Sequence, residues 1–335
     1  MFTFAFWTLF QMLVYIAIAP LLLGRLRWAK ARLQGQQGPP LFQPYYDLWK
    51  LMQRQPIIPD TASWVFSAVP IIVLACYISL GLVTPFFFLP NPNQNWPRID
   101  LLVLVYLLVV PHFALGLAGM DAGTPITGLG SAREMFMQLL TEPALILTVY
   151  AMTLTTNTTS LTGVLLFNRD KQLKGLSDSD LQQAFLVNSL IFMALFLIVL
   201  AEAGRLPFDN PGTHLELTMV GKAIELEYAG YHLAMLDLAE ALRLTFLLNL
   251  LLNFIFPFAM AFETAPYAVE DLGPNVWWVL FYPFKLFLMV LLLAGWESFN
   301  SRVRLRMVSN YSSWALFFSL VAVLVIVFNL RISSN

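Results

Sequence analysis

Eight stretches of this sequence are long and apolar enough to cross a lipid bilayer, and that one feature removes most folds from consideration. They run approximately over 2–24, 63–89, 100–120, 135–158, 183–203, 235–262, 275–297 and 312–331. Each is close to or above the roughly 20 residues that a helix needs to cross about 30 Å of hydrocarbon. Backbone in hydrocarbon finds no water to bond, so each stretch must satisfy its own N–H and C=O groups as a helix. The fold class that follows is all-α: a polytopic integral membrane protein of about eight transmembrane helices, with 1–335 forming a single membrane domain. Composition agrees, since only 12% of the 335 residues are charged, about half the share usual in soluble domains. A net charge of -1 leaves no basic footprint for nucleic acid. The single cysteine, Cys76, excludes an intramolecular disulfide and any multi-cysteine metal or iron–sulfur site on this chain. Lying in an apolar run, it reads as a small buried hydrophobe. Pro20, Pro70, Pro111, Pro143, Pro257 and Pro283 fall inside spans, where neighbouring helices can re-satisfy the freed backbone.

Loop charge sets the expected orientation. With the N-terminus outside, the cytoplasmic loops 25–62, 121–134, 204–234 and 298–311 hold Arg25, Arg27, Lys30, Arg32, Lys50, Arg54, Arg133, Arg205, Lys222, Arg302, Arg304 and Arg306. The other side holds Arg98, Arg169, Lys171, Lys174 and Arg331. That asymmetry predicts N-out and C-out termini. The cytoplasmic segment 40–55 contains a further helix. Leu41, Tyr45, Leu48 and Met52 recur at helical spacing, while Asp47, Lys50, Gln53 and Arg54 form a polar side. An amphipathic helix in the membrane interface fits this pattern, either lying on lipid or docking a partner.

The chain has no Walker motif, GxGxxG, HExxH or nucleophile elbow, and His112, His214 and His232 lack ligand spacing. No catalytic residue, cofactor site or metal site is therefore assigned to it. His112, after Pro111 inside a span, reads as a structural histidine with its polar needs met. The carboxylates carry more information, because a charge inside a bilayer usually faces protein or a hydrated cavity. Glu142 lies in the fourth span beside Pro143 with no neutralising neighbour in sequence. The acidic loop over about 202–234 offers Glu202, Asp209, Glu216, Glu225 and Glu227 against Arg205 and Lys222, interleaved with apolar residues. Such a loop is expected to fold into a cavity. Asp237, Glu240 and Arg243 step by three along the sixth span, within reach of one another on a helix. Lys285, central in the seventh span, needs a carboxylate partner or a lowered pKa. Together these residues suggest a charged, hydrated path from the cytoplasmic loops into the membrane.

At this point a family resemblance enters. Gln37-Gly38-Pro39-Pro40 followed by Gln43-Pro44-Tyr45-Tyr46-Asp47-Leu48-Trp49-Lys50-Leu51 resembles the signature after the first helix of a known membrane protein family. That family comprises subunit 1 of respiratory complex I and its counterparts in group 4 membrane-bound NiFe hydrogenases. Glu202-Ala203-Gly204-Arg205-Leu206-Pro207-Phe208-Asp209 and Glu227-Tyr228-Ala229-Gly230 resemble the motifs opening and closing its long loop. Three further stretches are similar to the formate hydrogenlyase and hydrogenase-4 type: Gly119-Met120-Asp121-Ala122-Gly123, Ser131-Ala132-Arg133-Glu134-Met135 leading to Glu142-Pro143, and Asn210 to Thr218.

The resemblance implies a non-catalytic subunit of an oxidoreductase complex in the prokaryotic cytoplasmic (inner) membrane. Its partners would be the NiFe hydrogenase large and small subunits, an iron–sulfur subunit and antiporter-like membrane subunits, besides membrane lipid. The NiFe centre and iron–sulfur clusters would sit on those partners. The proton path it implies runs through Glu142, Glu202, Asp209, Glu216, Glu225, Glu227, Asp237, Glu240 and Lys285. The peripheral arm would dock on Arg25, Arg27, Gly38, Pro39, Gln43, Asp47, Lys50, Arg205, Arg302, Arg304 and Arg306. Two alternatives stay open. One is the quinone-site subunit of complex I, which needs a tunnel for a headgroup and isoprenoid tail. The other is a free-standing secondary transporter, which usually shows an internal repeat.

Overall fold

The structure, a computed structural model, describes residues 2–84, 88–89, 100–174, 178–206, 208, 220–255, 261–262, 272–300 and 305–334. The elements are helices α1 (Phe2–Leu33), α2 (Gln43–Met52), α3 (Trp64–Val83), α4 (Leu101–Asp121), α5 (Pro125–Thr156), α6 (Leu161–Lys174), α7 (Asp178–Glu202), α8 (Gly221–Glu225), α9 (Gly230–Ile255), α10 (Leu272–Phe299) and α11 (Leu305–Ser334). Two short strands, β1 (Phe88–Leu89) and β2 (Ala261–Phe262), pair in parallel. The fold is all-α, as expected.

Among the described residues seven helices are long and apolar enough to cross a membrane: Thr8–Leu33, Trp64–Leu82, Leu101–Asp121, Pro125–Thr156, Phe185–Glu202, Tyr282–Phe299 and Asn310–Phe328. The eighth expected span, 235–262, corresponds to α9, whose N-terminal half carries Asp237, Glu240 and Arg243. Those charges set it apart from the other seven. Helix ends also differ from the sequence reading. α1 runs to Leu33, and α5 starts at Pro125, so Arg133 and Glu134 are helical and not loop residues. α6 was not expected at all. Pro20, Pro70, Pro111, Pro143 and Pro283 all lie within continuous helices, while Pro257 lies outside the described residues. Cys76 is half-buried on α3.

α4 shows why the bundle belongs in lipid. Leu102, Tyr106, Phe113, Leu117 and Met120 form an exposed apolar stripe, opposite buried Leu101, Leu104, Val105, Leu108 and Ala118. A helix that is apolar on both faces needs an apolar surround. Lipid tails are as apolar as leucine, so packing within the bundle relies on close fit and polar contacts. Glycines supply the fit: a Cβ on Gly119 would strike Ser131 and Ile224, and one on Gly81 would strike Tyr15. Polar contacts lock α9 to its neighbours. Tyr15 donates to the Leu242 carbonyl at 2.7 Å, and Tyr282 donates to Asn249 at 2.5 Å.

The loop motifs build joints. Asp121, ending α4, accepts from Ser63 N at 2.9 Å, Ser63 Oγ at 2.9 Å and Phe66 N at 3.2 Å, which caps the start of α3. Gly123 takes φ +70°, a left-handed turn that suits glycine. Thr124 then caps α5 with Pro125 in its first turn. Gly230, at φ +59°, opens α9 directly beneath the carbonyls of Arg54 and Gln55, where any Cβ would collide. Tyr228 stacks on Phe66 with centroids 4.1 Å apart.

Candidate functional site

Seven elements bring charged side chains together near one side of the bundle: the C-terminal part of α1, α4, the first turns of α5, the end of α7, α8, the first half of α9 and the end of α10. All adjoin the four loops that charge asymmetry assigns to one face.

The inner part centres on His112, on α4. Its Nδ1 lies 2.7 Å from Glu134 Oε1 on α5. Its Nε2 lies 3.0 Å from Glu202 Oε2 on α7 and 3.3 Å from Arg243 Nη1 on α9. The His112 and Glu202 side chains are 4% and 0% exposed. The two contacts at Nε2 make opposite demands. Toward the carboxylate this nitrogen must donate; toward the guanidinium it must accept. An imidazolium satisfies both carboxylates, whereas neutral imidazole protonated at Nδ1 keeps Glu134 and accepts from Arg243. The geometry therefore supports two protonation states without moving a helix.

The outer part is a row of alternating charge. Lys30 on α1 donates to Glu297 Oε2 on α10 at 2.9 Å. Glu297 Oε1 faces Arg205 Nε at 3.9 Å, and Arg205 Nη2 faces Glu240 Oε1 at 3.6 Å. Lys222 Nζ lies 2.6 Å from Glu240 Oε2, 2.5 Å from Glu225 Oε2 and 3.5 Å from Asp237 Oδ1. On α8, outside the spans, burial opposes the Lys222 charge, but Glu225, Glu240 and Asp237 outweigh it and raise its pKa. Burial pushes Glu225 up; Lys222 pulls it back, while Glu240 and Asp237 push it further, to about 7. That value puts proton exchange near neutral pH.

Between the two parts lies a cavity with about 60 Å³ of volume open to water centres, faced by His112, Glu134, Glu202, Lys222, Glu225, Glu240 and Arg243. By the guide of roughly 10–15 Å³ per water, it has room for a few waters. Several nearby polar atoms, among them Glu202 Oε1, Arg205 Nε, Arg243 Nε and Glu297 Oε1, make no hydrogen bond among the described residues. Buried atoms of this kind are commonly met by water. Gly221 belongs here because a Cβ on it would come within 3.3 Å of Glu134 Oε2.

The structure brings Glu202, Glu225, Asp237 and Glu240 of the expected path together. Glu227 stands apart, accepting from Thr124 at 2.8 Å beside the α5 cap. Glu142 is half-buried on α5, about 12 Å further along the helix than Glu134 by helical rise. Lys285 is buried on α10 and does not face the cavity. Asp209 and Glu216 lie outside the described residues.

Of the expected docking residues, Arg205 is 4% exposed and turned into the charge row, not toward a surface. Removing a guanidinium from between two buried carboxylates would leave them uncompensated. Arg25 lies over the Phe287 ring, and Arg27 is exposed. Gly38 and Pro39 are half-buried. Gln43 donates to Asp47 one turn along α2 at 2.8 Å, and Lys50 is exposed. Arg302 and Arg304 lie outside the described residues, as does the side chain of Arg306.

The expected path left out His112, Glu134, Lys222, Arg243, Glu297 and Lys30, although Lys222 and Arg243 were noted beside its carboxylates. A histidine beside a proline inside a span was the available signal for His112. For Glu134 it was membership of the Ser131–Met135 motif.

Comparison with known proteins agrees with the loop motifs. The chain is 28% identical over 317 residues to formate hydrogenlyase subunit 4 of Escherichia coli strain K12, covering 92% of this chain and 94% of that protein. It is 27% identical over 253 residues to hydrogenase-4 component C of the same strain, covering 76% of each. The membrane-bound sulfane sulfur reductase, described as an archaeal respiratory membrane complex, contains a chain of the same fold. That chain superposes with a TM-score of 0.73 at 19% identity, covering 95% of this chain and 98% of that one. The NADH dehydrogenase family profile matches residues 6–329, nearly the whole length, and the chain belongs to that family as a membrane-embedded relative of the two hydrogenase-complex subunits.

Proposed function

We propose that this chain is the membrane-anchoring, proton-path subunit of a formate hydrogenlyase type complex, a group 4 membrane-bound NiFe hydrogenase. It docks the peripheral redox arm and couples electron transfer to proton movement. The observation that carries this reading is the pair of charge clusters, one reaching partly exposed Lys30 and one centred on His112 deep in the bundle, that face a shared water-sized cavity. The resemblance to formate hydrogenlyase subunit 4 supports the choice of complex. A charge change at the docking face shifts the next carboxylate, and so on along the row. His112 then passes a proton between Glu134 and Glu202, and Glu142 offers the next carboxylate deeper along α5. Each proton moved outward works against about 2.3 kcal/mol per 100 mV. The NiFe centre and iron–sulfur clusters belong to the hydrogenase large and small subunits and the iron–sulfur subunit. Antiporter-like subunits receive the signal in the cytoplasmic membrane, with both termini outside.

The NADH dehydrogenase family match favours a second reading, a quinone-site subunit. That reading needs space for a ring and tail, whereas the cavity among the described residues has room for a few waters.

The test is mild-detergent purification of the tagged chain, mass spectrometry of co-purifying proteins, and hydrogen evolution from formate and from reduced viologen. Hydrogenase and antiporter-like subunits are expected. Glu142→Gln/Glu202→Gln is expected to assemble normally but lose coupled activity. Recovery with quinone-reactive subunits and no hydrogenase would replace this reading with the second. Recovery as a lone protein would leave a transporter.

A further inference from the structure

Among the described residues, Glu225, Asp237 and Glu240 each place a carboxylate oxygen within 4.8 Å of the others. Hard cations with oxygen ligands at roughly 2.3–2.6 Å bind in such spacings. Three carboxylates alone do not make a site. The second observation is that this cage already holds a cation, because the Lys222 ammonium contacts all three, at 2.5, 3.5 and 2.6 Å. An ammonium carries three N–H donors, one for each carboxylate. The lysine and Glu225 come from α8 while Asp237 and Glu240 come from α9, so the cage is shared between two helices. A tethered ammonium also competes at an effective concentration in the millimolar range or above, against which a free monovalent ion must act.

We propose that Lys222 is a built-in counter-cation that fills the Glu225–Asp237–Glu240 cage and excludes free metal cations, Na+ among them. Its functional meaning rests on the proton-path reading: with the cage filled, these carboxylates are open to protons and closed to sodium. Lys222 is thus a selectivity residue for the coupling ion.

The test titrates the purified intact complex with Mn2+, following free Mn2+ by electron paramagnetic resonance. Lys222→Met is expected to bind one more Mn2+ equivalent than wild type. Lys222→Met/Glu240→Gln is expected to lose it, and Lys222→Arg, which keeps a cation, to gain none. An assembled Lys222→Met complex with no added equivalent overturns the proposal. A second measurement needs no lysine variant: infrared difference spectra of the wild-type complex on exchanging K+ for Na+. No carboxylate band is expected, and a band that disappears in Glu240→Gln overturns the proposal. An added Mn2+ equivalent in Lys222→Met upholds the cage even where wild-type vesicles move no protons, a result that removes the proton-path reading alone.

Discussion

The inner and outer halves of the charge network solve the same problem differently. Around His112, two carboxylates meet one arginine and one histidine, with His112 and Glu202 almost wholly enclosed. Around Lys222, three carboxylates share one ammonium, and exposure rises to 33% at Asp237. A buried charge without a partner is far more costly than a solvated one. The deep half therefore balances when His112 holds a second proton, whereas the shallow half tolerates excess negative charge with help from water and Arg205. Depth sets how strictly charge must balance, and among the described residues of the deep half a histidine, His112, is the side chain whose two nitrogens meet both signs of charge.

Removing that adjuster should have the largest effect. His112→Leu leaves Glu134 and Glu202 facing each other, and a loss of about 3–5 kcal/mol is expected, read as a lower thermal midpoint and lower assembly yield. His112→Gln, which still bonds one carboxylate, should lose less stability while losing the same coupled activity. If both variants lose equally, the inner half is structural only. Arg205→Ala should come next, at about 2–3 kcal/mol, because Glu240 and Glu297 then lack their shared cation. An Arg205→Ala variant of unchanged stability would mean that Glu240 and Glu297 are balanced without it.

Gly119→Ala tests the seam between them. Its added methyl meets Ser131 and Ile224, forcing α4 away from α5 and α8, at about 1–2 kcal/mol of overpacking. Glu225, in the shallow half, should show its effect mainly through pH. The Glu225 pKa is raised from 4.5 to about 7. Its contribution to stability is whole below 4.5 and is lost as pH rises through about 7. The stability of wild type relative to Glu225→Gln should therefore fall between about pH 4.5 and 7, by no more than about 1.4 kcal/mol per pH unit. A flat profile would place Glu225 in ordinary solvent and erase the contrast.

Much of the fold was legible because hydrocarbon length and loop charge are properties of short segments. α3, α4 and α7 follow from apolar runs alone. α9 was harder, since Asp237, Glu240 and Arg243 dilute its hydropathy and only tertiary partners explain their burial. α6 carries Arg169, Asp170, Lys171 and Lys174, so it reads as loop. In the site, Glu202 and Glu240 were legible as carboxylates in apolar surroundings. The His112 pairings were not, because Glu134 and Glu202 lie 22 and 90 positions away along the chain. Arg205 was misread because loop charge suggests solvent, and nothing local reveals that Glu240 and Glu297 converge on it.

Gly230 carries one more consequence. The first residue of α9 bears on the carbonyls of Arg54 and Gln55, just past the amphipathic helix α2, with no side chain between them to compress. A displacement of that segment would bear directly on the start of α9. The helix that carries Asp237, Glu240 and Arg243 is held by backbone contact at its start as well as by charge along its length.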